Sequence, residues 1–421
     1  MLNQRFLRNK KLTPKIPKGE CFPKESMIIT MDKFLRRAWA EVHLDRLEYN
    51  LSQLKEITDT DSTEIACVVK ANAYGHDDKA VVSCFEKNGI KFFAVSSIYE
   101  AEKLRSYGVK GDILILGYTP PEYADDLCRL NIIQGIVSVE HAREISESAH
   151  SPVRIHIKLD TGMGRIGLEA FDTEKCTAEA MNIISLKNIN CEGIFTHFSV
   201  ADSLREEDIS YTKKQIDLFY AVRDSLENNG VNLKHSHCFN SAGGTYYREY
   251  DANRSTLVRF GIMLYGLTPD TSLTLPVKLK PVMDLKAAVS YIKPIKKGQC
   301  VSYGRIFTAD KDMTVATVPI GYADGYPRLL SGTGEAIVNG KRVLIIGRVC
   351  MDQLMIDITG VDGVKSGTVV TLIGTDGNET ITADDIAVKC HTIGYEIICG
   401  VAKRIPRVII NNGKITDVVQ Y

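Results

Sequence analysis

The sequence lacks the long apolar segments that are typical of membrane and secreted proteins. No apolar run approaches the ~18 residues needed to cross a bilayer, and no basic stretch leads into an apolar segment with a small-residue cleavage site. The 11 cysteines are odd in number and scattered, and they include no C-x-x-C pair, which argues against a disulfide or zinc framework. We therefore expect reduced thiols, no membrane partner and a cytoplasmic location.

The 421-residue chain also lacks net charge, since 52 Lys and Arg balance 52 Asp and Glu. Without a whole-protein electrostatic field, nucleic acid is not an expected partner, and a small molecule is. The exception is the segment 1–37, which has ten basic residues against three acidic ones and three prolines. Basic tails can bind nucleic acid or membranes, but the interpretation we favour is a solvated, disordered arm.

Short apolar, β-branched runs alternate with helical periodicity between residues 38 and 280. This pattern is typical of parallel strands that are buried on both faces. No G-x-G-x-x-G follows the first run, which argues against a doubly wound nucleotide-binding sheet. The count predicts an α/β fold, a (β/α)8 TIM barrel, with strands at 65–69, 92–95, 113–116, 132–137, 153–159, 193–195 and around Cys238. The run that ends at 264–266 is expected to be the eighth strand or its loop.

Polar residues follow these runs directly, at the end of the barrel where such enzymes keep their active sites. These residues are Lys70, Ser97, Asp160, His197, Asn240 and Gly261. Beyond residue 281 the pattern changes to closely spaced strands with glycine turns, including the hairpin signal Asn339-Gly340. We therefore expect a C-terminal all-β domain at 281–421.

Lys70 lies in the segment 68–76 (VVKANAYGH), directly after the first apolar run. Desolvation at such a position lowers the pKa of a lysine and makes its amine available for a Schiff base with an aldehyde cofactor. The segment resembles the lysine motif of the alanine racemase family, and further family motifs follow in order from residue 39 to residue 407. They lie at 158–167 (KLDTGMGRIG), 196–198 (THF), 240–242 (NSA), 259–262 (RFGI), 301–304 (VSYG), 321–325 (GYADG), 350–353 (CMDQ) and 392–396 (TIGYE).

The resemblance implies an isomerase that interconverts L- and D-alanine and supplies D-alanine for peptidoglycan. It implies pyridoxal 5'-phosphate on Lys70 and a head-to-tail homodimer whose β domain completes the active site of the other subunit. The residues expected around the phosphate are Tyr74, Asn240, Ser241, Gly261, Ile262 and Tyr395.

Racemisation requires one base on each face of the substrate's α carbon. The resemblance assigns Lys70 to the D enantiomer and Tyr303 of the partner chain to the L enantiomer. A tyrosine acts as a base near neutrality only with help from a cation or from hydrogen-bond donors.

Further residues take supporting roles by resemblance. Arg259 corresponds to the arginine that faces the pyridine nitrogen, where an aminotransferase has a carboxylate, and His197 to a histidine that orients it. Arg165 and Met351 correspond to residues that bind the substrate carboxylate. Lys158 corresponds to a lysine that is carbamylated in many members and supports Arg165.

The sequence departs from the family at three places: Asp77 stands where glycine is usual, Gly394 precedes Tyr395 in place of asparagine, and the basic arm has no counterpart. None of these changes removes a catalytic group.

Three other functions are alternatives to alanine racemisation. Serine racemases of the vancomycin-resistance type tend to replace Tyr395 with a smaller residue, so its presence favours alanine. Decarboxylases with this cofactor carry a triple-glycine loop and a carboxylate at the pyridine nitrogen, in contrast to Asn240-Ser241-Ala242 and Arg259. Non-enzymatic cofactor-binding barrels lack the β domain.

Overall fold

The computed structural model describes residues 37–58, 62–252 and 254–421. The expected basic arm lies outside these residues except for its last member, Arg37. The guanidinium of Arg37 donates two hydrogen bonds of 2.9 Å to the Asp324 carboxylate. Arg37, the last residue of the expected arm, thus contacts the second part of the chain.

The first strand within the described residues, β1 (Ala38–His43), precedes a barrel of eight parallel strands. The barrel order is β10-β2-β3-β4-β5-β6-β8-β9, and the short β7 (Leu168–Glu169) pairs with β6 outside this path. The barrel strands are β2 (Glu64–Val68), β3 (Phe92–Val95), β4 (Asp112–Ile115), β5 (Ile133–Ile136), β6 (Val153–Asp160), β8 (Ile189–Phe195), β9 (His235–His237) and β10 (Leu257–Phe260). Backbone hydrogen bonds from Thr256 to Ser236 (2.9 Å) and from Arg259 to Phe239 (3.2 Å) join β9 to β10. The predicted barrel is confirmed.

The helices of the barrel lie between its strands, and several begin at capping residues that the sequence supplies. Ser97, Ser138 and Asp172 each accept a hydrogen bond from the backbone N–H three residues later, which satisfies a donor that the first helical turn leaves free. The helices are α1 (Leu44–Ile57), α2 (Lys70–Tyr74, a left-handed turn), α3 (Asp78–Lys87), α4 (Ile98–Ser106), α5 (Ala124–Arg129), α6 (Val139–Ser148), α7 (Thr173–Ile184), α8 (Glu206–Asn228), α9 (Ser241–Tyr246) and α10 (Arg248–Asp251).

The eighth barrel strand is β10, and the end of the run, which was expected to be this strand or its loop, lies in the loop. Residues Ile262–Tyr265 form a 3-10 turn there. The turn is apolar because it is buried, and the hydroxyl of the fully buried Tyr265 donates to the Val68 carbonyl at 3.0 Å. Apolar composition at this point thus reflects a buried turn and not a strand.

The second domain contains a large mixed sheet of order β12-β15-β18-β17-β16-β19-β11-β1-β21-β22, with β20 on β19, and a separate pair β13-β14. Its strands are β11 (Met283–Ala288), β12 (Tyr291–Ile295), β13 (Cys300–Val301), β14 (Phe307–Thr308), β15 (Met313–Val318), β16 (Glu335–Val338), β17 (Lys341–Ile346), β18 (Leu354–Asp357), β19 (Val369–Asp376), β20 (Glu379–Ile381), β21 (Arg407–Asn411) and β22 (Lys414–Val419). Asn339 and Gly340 both have positive φ, at 50° and 71°, and close the β16–β17 hairpin as predicted.

Two features of this domain differ from the sequence prediction. It is not purely β, because α11 (Ala383–Cys390) and α12 (Gly394–Gly400) follow β20. Strand β1, which the prediction placed with the barrel, pairs antiparallel with β11 and parallel with β21. Its Trp39 packs with Val408 and Ile410. Residues Ala38–His43 thus belong to the second sheet.

The ten cysteines in the described ranges are all free thiols. Across those same ranges, no helix combines the length and apolar character needed to span a membrane.

Candidate active site

Lys70 follows β2 at the carboxyl end of the barrel, where the backbone N–H of Val69 bonds to the Ala94 carbonyl on β3. Among the described residues, none forms a hydrogen bond or ion pair with its amine. Burial lowers the pKa of Lys70, and the nearby positive charge of Arg165 lowers it further. A desolvated, unpaired amine of this kind is a competent nucleophile for an aldehyde.

The backbone that follows Lys70 is strained. Residues Ala71, Asn72, Ala73 and Tyr74 all have φ between 52° and 55°. Left-handed backbone costs roughly 1–2 kcal/mol for each residue other than glycine, and such strain is characteristic of functional sites. The carboxylate of Glu100 binds this turn by accepting a hydrogen bond of 2.7 Å from the Ala71 backbone N–H.

Tyr74, Ser241 and Gly261 lie together at the same end of the barrel. The Ser241 hydroxyl accepts a 3.0 Å hydrogen bond from the Gly261 backbone N–H. A Cβ at Gly261 would lie 2.6 Å from the Tyr74 hydroxyl, so this approach requires glycine. Asn240 caps α9 by accepting from the Gly243 N–H at 2.9 Å, and Ile262 begins the buried turn after Gly261. The structure brings these predicted residues together.

Tyr395 reaches this cluster from α12 of the second domain. Its ring centroid lies 6.2 Å from that of Tyr74, and a Cβ at Gly75 would lie 2.5 Å from the Ile398 carbonyl. Burial raises the pKa of Tyr395, so its hydroxyl keeps its proton and can donate a hydrogen bond.

Arg259 is buried inside the barrel without a carboxylate partner among the described residues. It donates to the carbonyls of Thr196, His237 and Cys238 at 2.7, 2.9 and 3.2 Å. It also donates to His237 Nδ1 at 2.8 Å. Burial lowers the pKa of Arg259 to about 10, so the guanidinium stays charged at neutral pH.

The histidine bonded to Arg259 in this structure is thus His237, whereas the resemblance assigns the orienting role to His197. His197 lies close enough for the charge of Arg259 to help burial hold its pKa well below the usual range, but no hydrogen bond joins these two side chains. Burial and Arg259 likewise keep His237 neutral. Because His237 Nδ1 accepts from Arg259, its Nε2 carries the proton and donates to His156 Nδ1 at 2.9 Å.

Sequence reasoning missed His237 because the family motif begins after it. The available signal was the alternation of side chains along β9. His235 and His237 are two residues apart, so their side chains lie on the same face of the strand.

The contributions of His237 and His197 to stability can be compared without cofactor. We expect His237→Phe to lower the free energy of unfolding by about 1–3 kcal/mol, because Arg259 and His156 each lose a buried hydrogen-bond partner. We expect His197→Phe to cost less in the same denaturant titration. Equal losses in the two variants would contradict the assignment.

Lys158 and Arg165 flank the barrel mouth without contacting each other through a hydrogen bond. Lys158 is 3% exposed, and its amine donates to the Leu159 carbonyl at 2.6 Å. Burial, followed by the charge of Arg259, lowers the pKa of Lys158 to about 7. The loop that carries Arg165 is held by the Asp160 carboxylate, which accepts from the backbone N–H groups of Gly162, Gly164 and Arg165.

Tyr303 and Met351 lie on one surface of the second domain, and no contact in the described structure joins either of them to Lys70. Tyr303 is 73% exposed and Met351 is 54% exposed. They are neighbours because the Ser302 hydroxyl donates to the Arg348 carbonyl at 2.9 Å and lies 3.4 Å from Cys350 Sγ. The structure thus assembles the predicted site in two separate parts.

Comparisons with known proteins match both parts of the chain. The sequence model of the alanine racemase N-terminal domain matches residues 42–269, and that of the alanine racemase C-terminal domain matches residues 282–409. An alanine racemase of Clostridium novyi (strain NT) is 41% identical over 396 residues, which are 93% of this chain and 100% of the relative.

Solved structures agree with the sequence comparison. The alanine racemase of Bacillus anthracis with bound L-Ala-P superposes with a TM-score of 0.86 at 37% identity, covering 92% of this chain and 99% of that one. A histidine racemase from Leuconostoc mesenteroides superposes with a TM-score of 0.79 at 31% identity, covering 89% and 98%. Racemases named for alanine and for histidine, two amino acids with side chains of very different size, therefore share this architecture.

Proposed function

The chain belongs to the alanine racemase family of isomerases, which interconvert L- and D-alanine, and we propose that it does so with pyridoxal 5'-phosphate attached to Lys70. The observation that carries this proposal is the desolvated, unpaired amine of Lys70 at the barrel mouth. We further propose, as the family implies, that the enzyme works in the cytoplasm and supplies D-alanine for peptidoglycan. Assays of L-alanine and L-serine side by side with the purified protein, coupled to detection of the D product, test the activity and its selectivity.

The residues present fit this cofactor. The cluster of Tyr74, Ser241 and Gly261 places two hydroxyl groups together, because the missing Cβ of Gly261 admits the Tyr74 hydroxyl and the Ser241 hydroxyl accepts from the Gly261 N–H. Hydroxyl donors at the start of a helix suit a phosphate. Asn240, Ile262 and Tyr395 complete its surroundings. The buried Arg259 guanidinium has no carboxylate partner in the described structure and so suits the pyridine nitrogen.

When bound, pyridoxal phosphate supplies an aldehyde for amines and a ring that withdraws electrons from the α carbon. The chain's own residues then determine which protons move. Lys70 takes the α proton of D-alanine, and Tyr303 takes that of L-alanine from the opposite face. Arg165 and the Met351 backbone hold the substrate carboxylate. Because Arg259 does not readily give up a proton, it keeps the ring a moderate electron acceptor and disfavours transamination.

We infer that the second base comes from another subunit. Tyr303 and Met351 are exposed on one surface, and no contact in the described structure joins either of them to the Lys70 amine of their own chain. A head-to-tail homodimer would present this surface to the barrel mouth of the partner and form two equivalent sites.

We also propose that Lys158 is carbamylated. A pKa of about 7 leaves a large fraction of its amine neutral and able to react with carbon dioxide. Carbamylation would replace a positive charge near Arg259 and Arg165 with a negative one, which would convert repulsion into attraction.

Serine or broad-specificity racemisation is the second candidate function, because one of the similar structures is a racemase named for histidine and not for alanine. We expect Tyr395→Asn to shift preference toward serine, since the smaller residue enlarges the pocket and removes a hydroxyl from the phosphate cluster. One added hydroxyl group is worth about 1–3 kcal/mol, so the activity ratio should change by roughly tenfold or more.

The matched control is Tyr395→Phe, which removes the hydroxyl but keeps the ring. Its ratio of alanine to serine activity should stay near that of the unmodified enzyme, while cofactor affinity falls. An unchanged ratio in Tyr395→Asn would show that Tyr395 does not select the substrate.

A further inference from the structure

The loop of residues 70–77, here called the Lys70 loop, is held in an unfavourable backbone conformation. Five of its non-glycine residues have positive φ, namely the four of the left-handed turn and Asp77 at 81°. Only glycine adopts such angles without strain, so contacts from outside the loop must stabilise it.

Tyr421 of the second domain provides two of these contacts through one atom. Its hydroxyl accepts a 2.8 Å hydrogen bond from Asn72 Nδ2 and donates a 3.0 Å hydrogen bond to Asp77 Oδ2. The other carboxylate oxygen of Asp77 accepts from the Ala80 N–H at 2.9 Å and caps α3. Tyr421 thus connects the left-handed turn with the end of the loop.

Arg407 of β21 adds a third contact and supports the Tyr421 ring. Its Nε donates to the Gly75 carbonyl at 2.9 Å, and its side chain is almost fully buried. The Arg407 guanidinium lies 5.6 Å from the centre of the Tyr421 ring, within cation–π range. The second domain therefore holds the Lys70 loop at three positions.

Asp77 makes this arrangement particular to this chain, because glycine is usual there in the family the sequence resembles. An aspartate at φ 81° is less favourable than glycine in isolation. The Asp77 carboxylate makes two hydrogen bonds, one of them with Tyr421, that a glycine at this position could not make.

We propose that Tyr421 is a positioning residue for the reaction, which acts through Asn72 and Asp77 to keep the Lys70 loop in the conformation that binds the cofactor. The inference rests on the proposed function, because it takes Lys70 as the lysine that holds pyridoxal phosphate. Tyr421 itself touches no reacting atom in this assignment.

The test is Tyr421→Phe, which keeps the ring and removes the hydroxyl. In the cofactor-free protein, amide hydrogen exchange of Gly75 and Asp77 should become about tenfold faster, since a hydrogen bond to a charged group is lost. The dissociation constant for pyridoxal phosphate should rise severalfold, and excess cofactor should restore most of the activity. The midpoint of global unfolding should change no more than in the control Tyr291→Phe, a half-exposed tyrosine on β12.

A double variant distinguishes positioning from general stability. In an Asp77→Gly, Asn72→Ala background, Tyr421→Phe should have no further effect on exchange or on cofactor affinity, because its partners are gone. Unchanged exchange or an unchanged dissociation constant in Tyr421→Phe overturns the proposal. If instead the unmodified protein binds no pyridoxal phosphate at Lys70, the proposed function fails, and exchange in the cofactor-free protein still reports on the Tyr421 contacts.

Discussion

Lys70→Ala is expected to abolish racemisation and covalent attachment of the cofactor together. In the proposed function, Lys70 supplies both the amine that holds pyridoxal phosphate and the base on one face of the substrate. Loss of a residue with two such roles should reduce kcat by on the order of 10^3-fold or more. The second lysine at the barrel mouth, Lys158, already donates to the Leu159 carbonyl and lies apart from the Tyr74 cluster.

The measurement is borohydride reduction followed by peptide mass spectrometry, with alanine racemisation assayed on the same preparations. The unmodified protein should carry the reduced cofactor on the peptide that contains Lys70, and Lys70→Ala should carry none. Lys91→Ala, an exposed lysine just before β3 at the other end of the barrel, serves as the control and should behave as the unmodified protein does. Reduced cofactor on another lysine of the Lys70→Ala variant would refute the assignment.

The barrel was predictable because most of its strands are short, local apolar runs that are buried on both faces. Two of its boundaries were not, for different physical reasons. Leu264 and Tyr265 are as apolar as a strand but are buried in a turn, and apolar content alone does not separate these cases. Strand β1 pairs with β11 and β21, which lie more than 200 residues further along, so local sequence holds no record of its partners.

In the candidate site, too, residues in local motifs were predictable and contacts between distant segments were not. Lys70, Tyr74, Ser241 and Gly261 lie in short motifs after barrel strands, and the structure brings them together. The hydrogen bond between Arg259 and His237 was not predictable, because only the folded barrel determines which histidine ring contacts the guanidinium. Tyr421 gave no sequence signal, since its contacts with the Lys70 loop cross between domains.

Tyr303→Phe is expected to reduce racemisation in both directions as severely as Lys70→Ala, while leaving the cofactor attached. Each turnover removes a proton on one face and adds one on the other, so loss of either base stops both directions. Tyr303 is exposed on the second domain and does not contact the Lys70 amine of its own chain. The visible absorbance of the bound cofactor should therefore match that of the unmodified enzyme.

Proton exchange should become one-sided in this variant. In deuterated water, Lys70 should still exchange the α proton of D-alanine, whereas L-alanine should exchange far more slowly, because its proton faces the missing hydroxyl. Nuclear magnetic resonance of the two enantiomers, incubated separately, measures both rates. Equal exchange of the two enantiomers would exclude Tyr303 as the base on the L face.

Mixing the two inactive variants tests where the second base comes from. If Tyr303 acts across the interface, a heterodimer of Lys70→Ala and Tyr303→Phe chains has one intact site, formed by the barrel of the Tyr303→Phe chain and the β domain of the Lys70→Ala chain. Random exchange makes half of the dimers heterodimers. Each heterodimer has one intact site out of two, so about a quarter of the unmodified activity should return. Pull-down with differently tagged chains confirms that exchange has occurred. An exchanged mixture that stays inactive would show that Tyr303 does not complete the partner's site, since a base acting within its own chain leaves every site of the mixture defective.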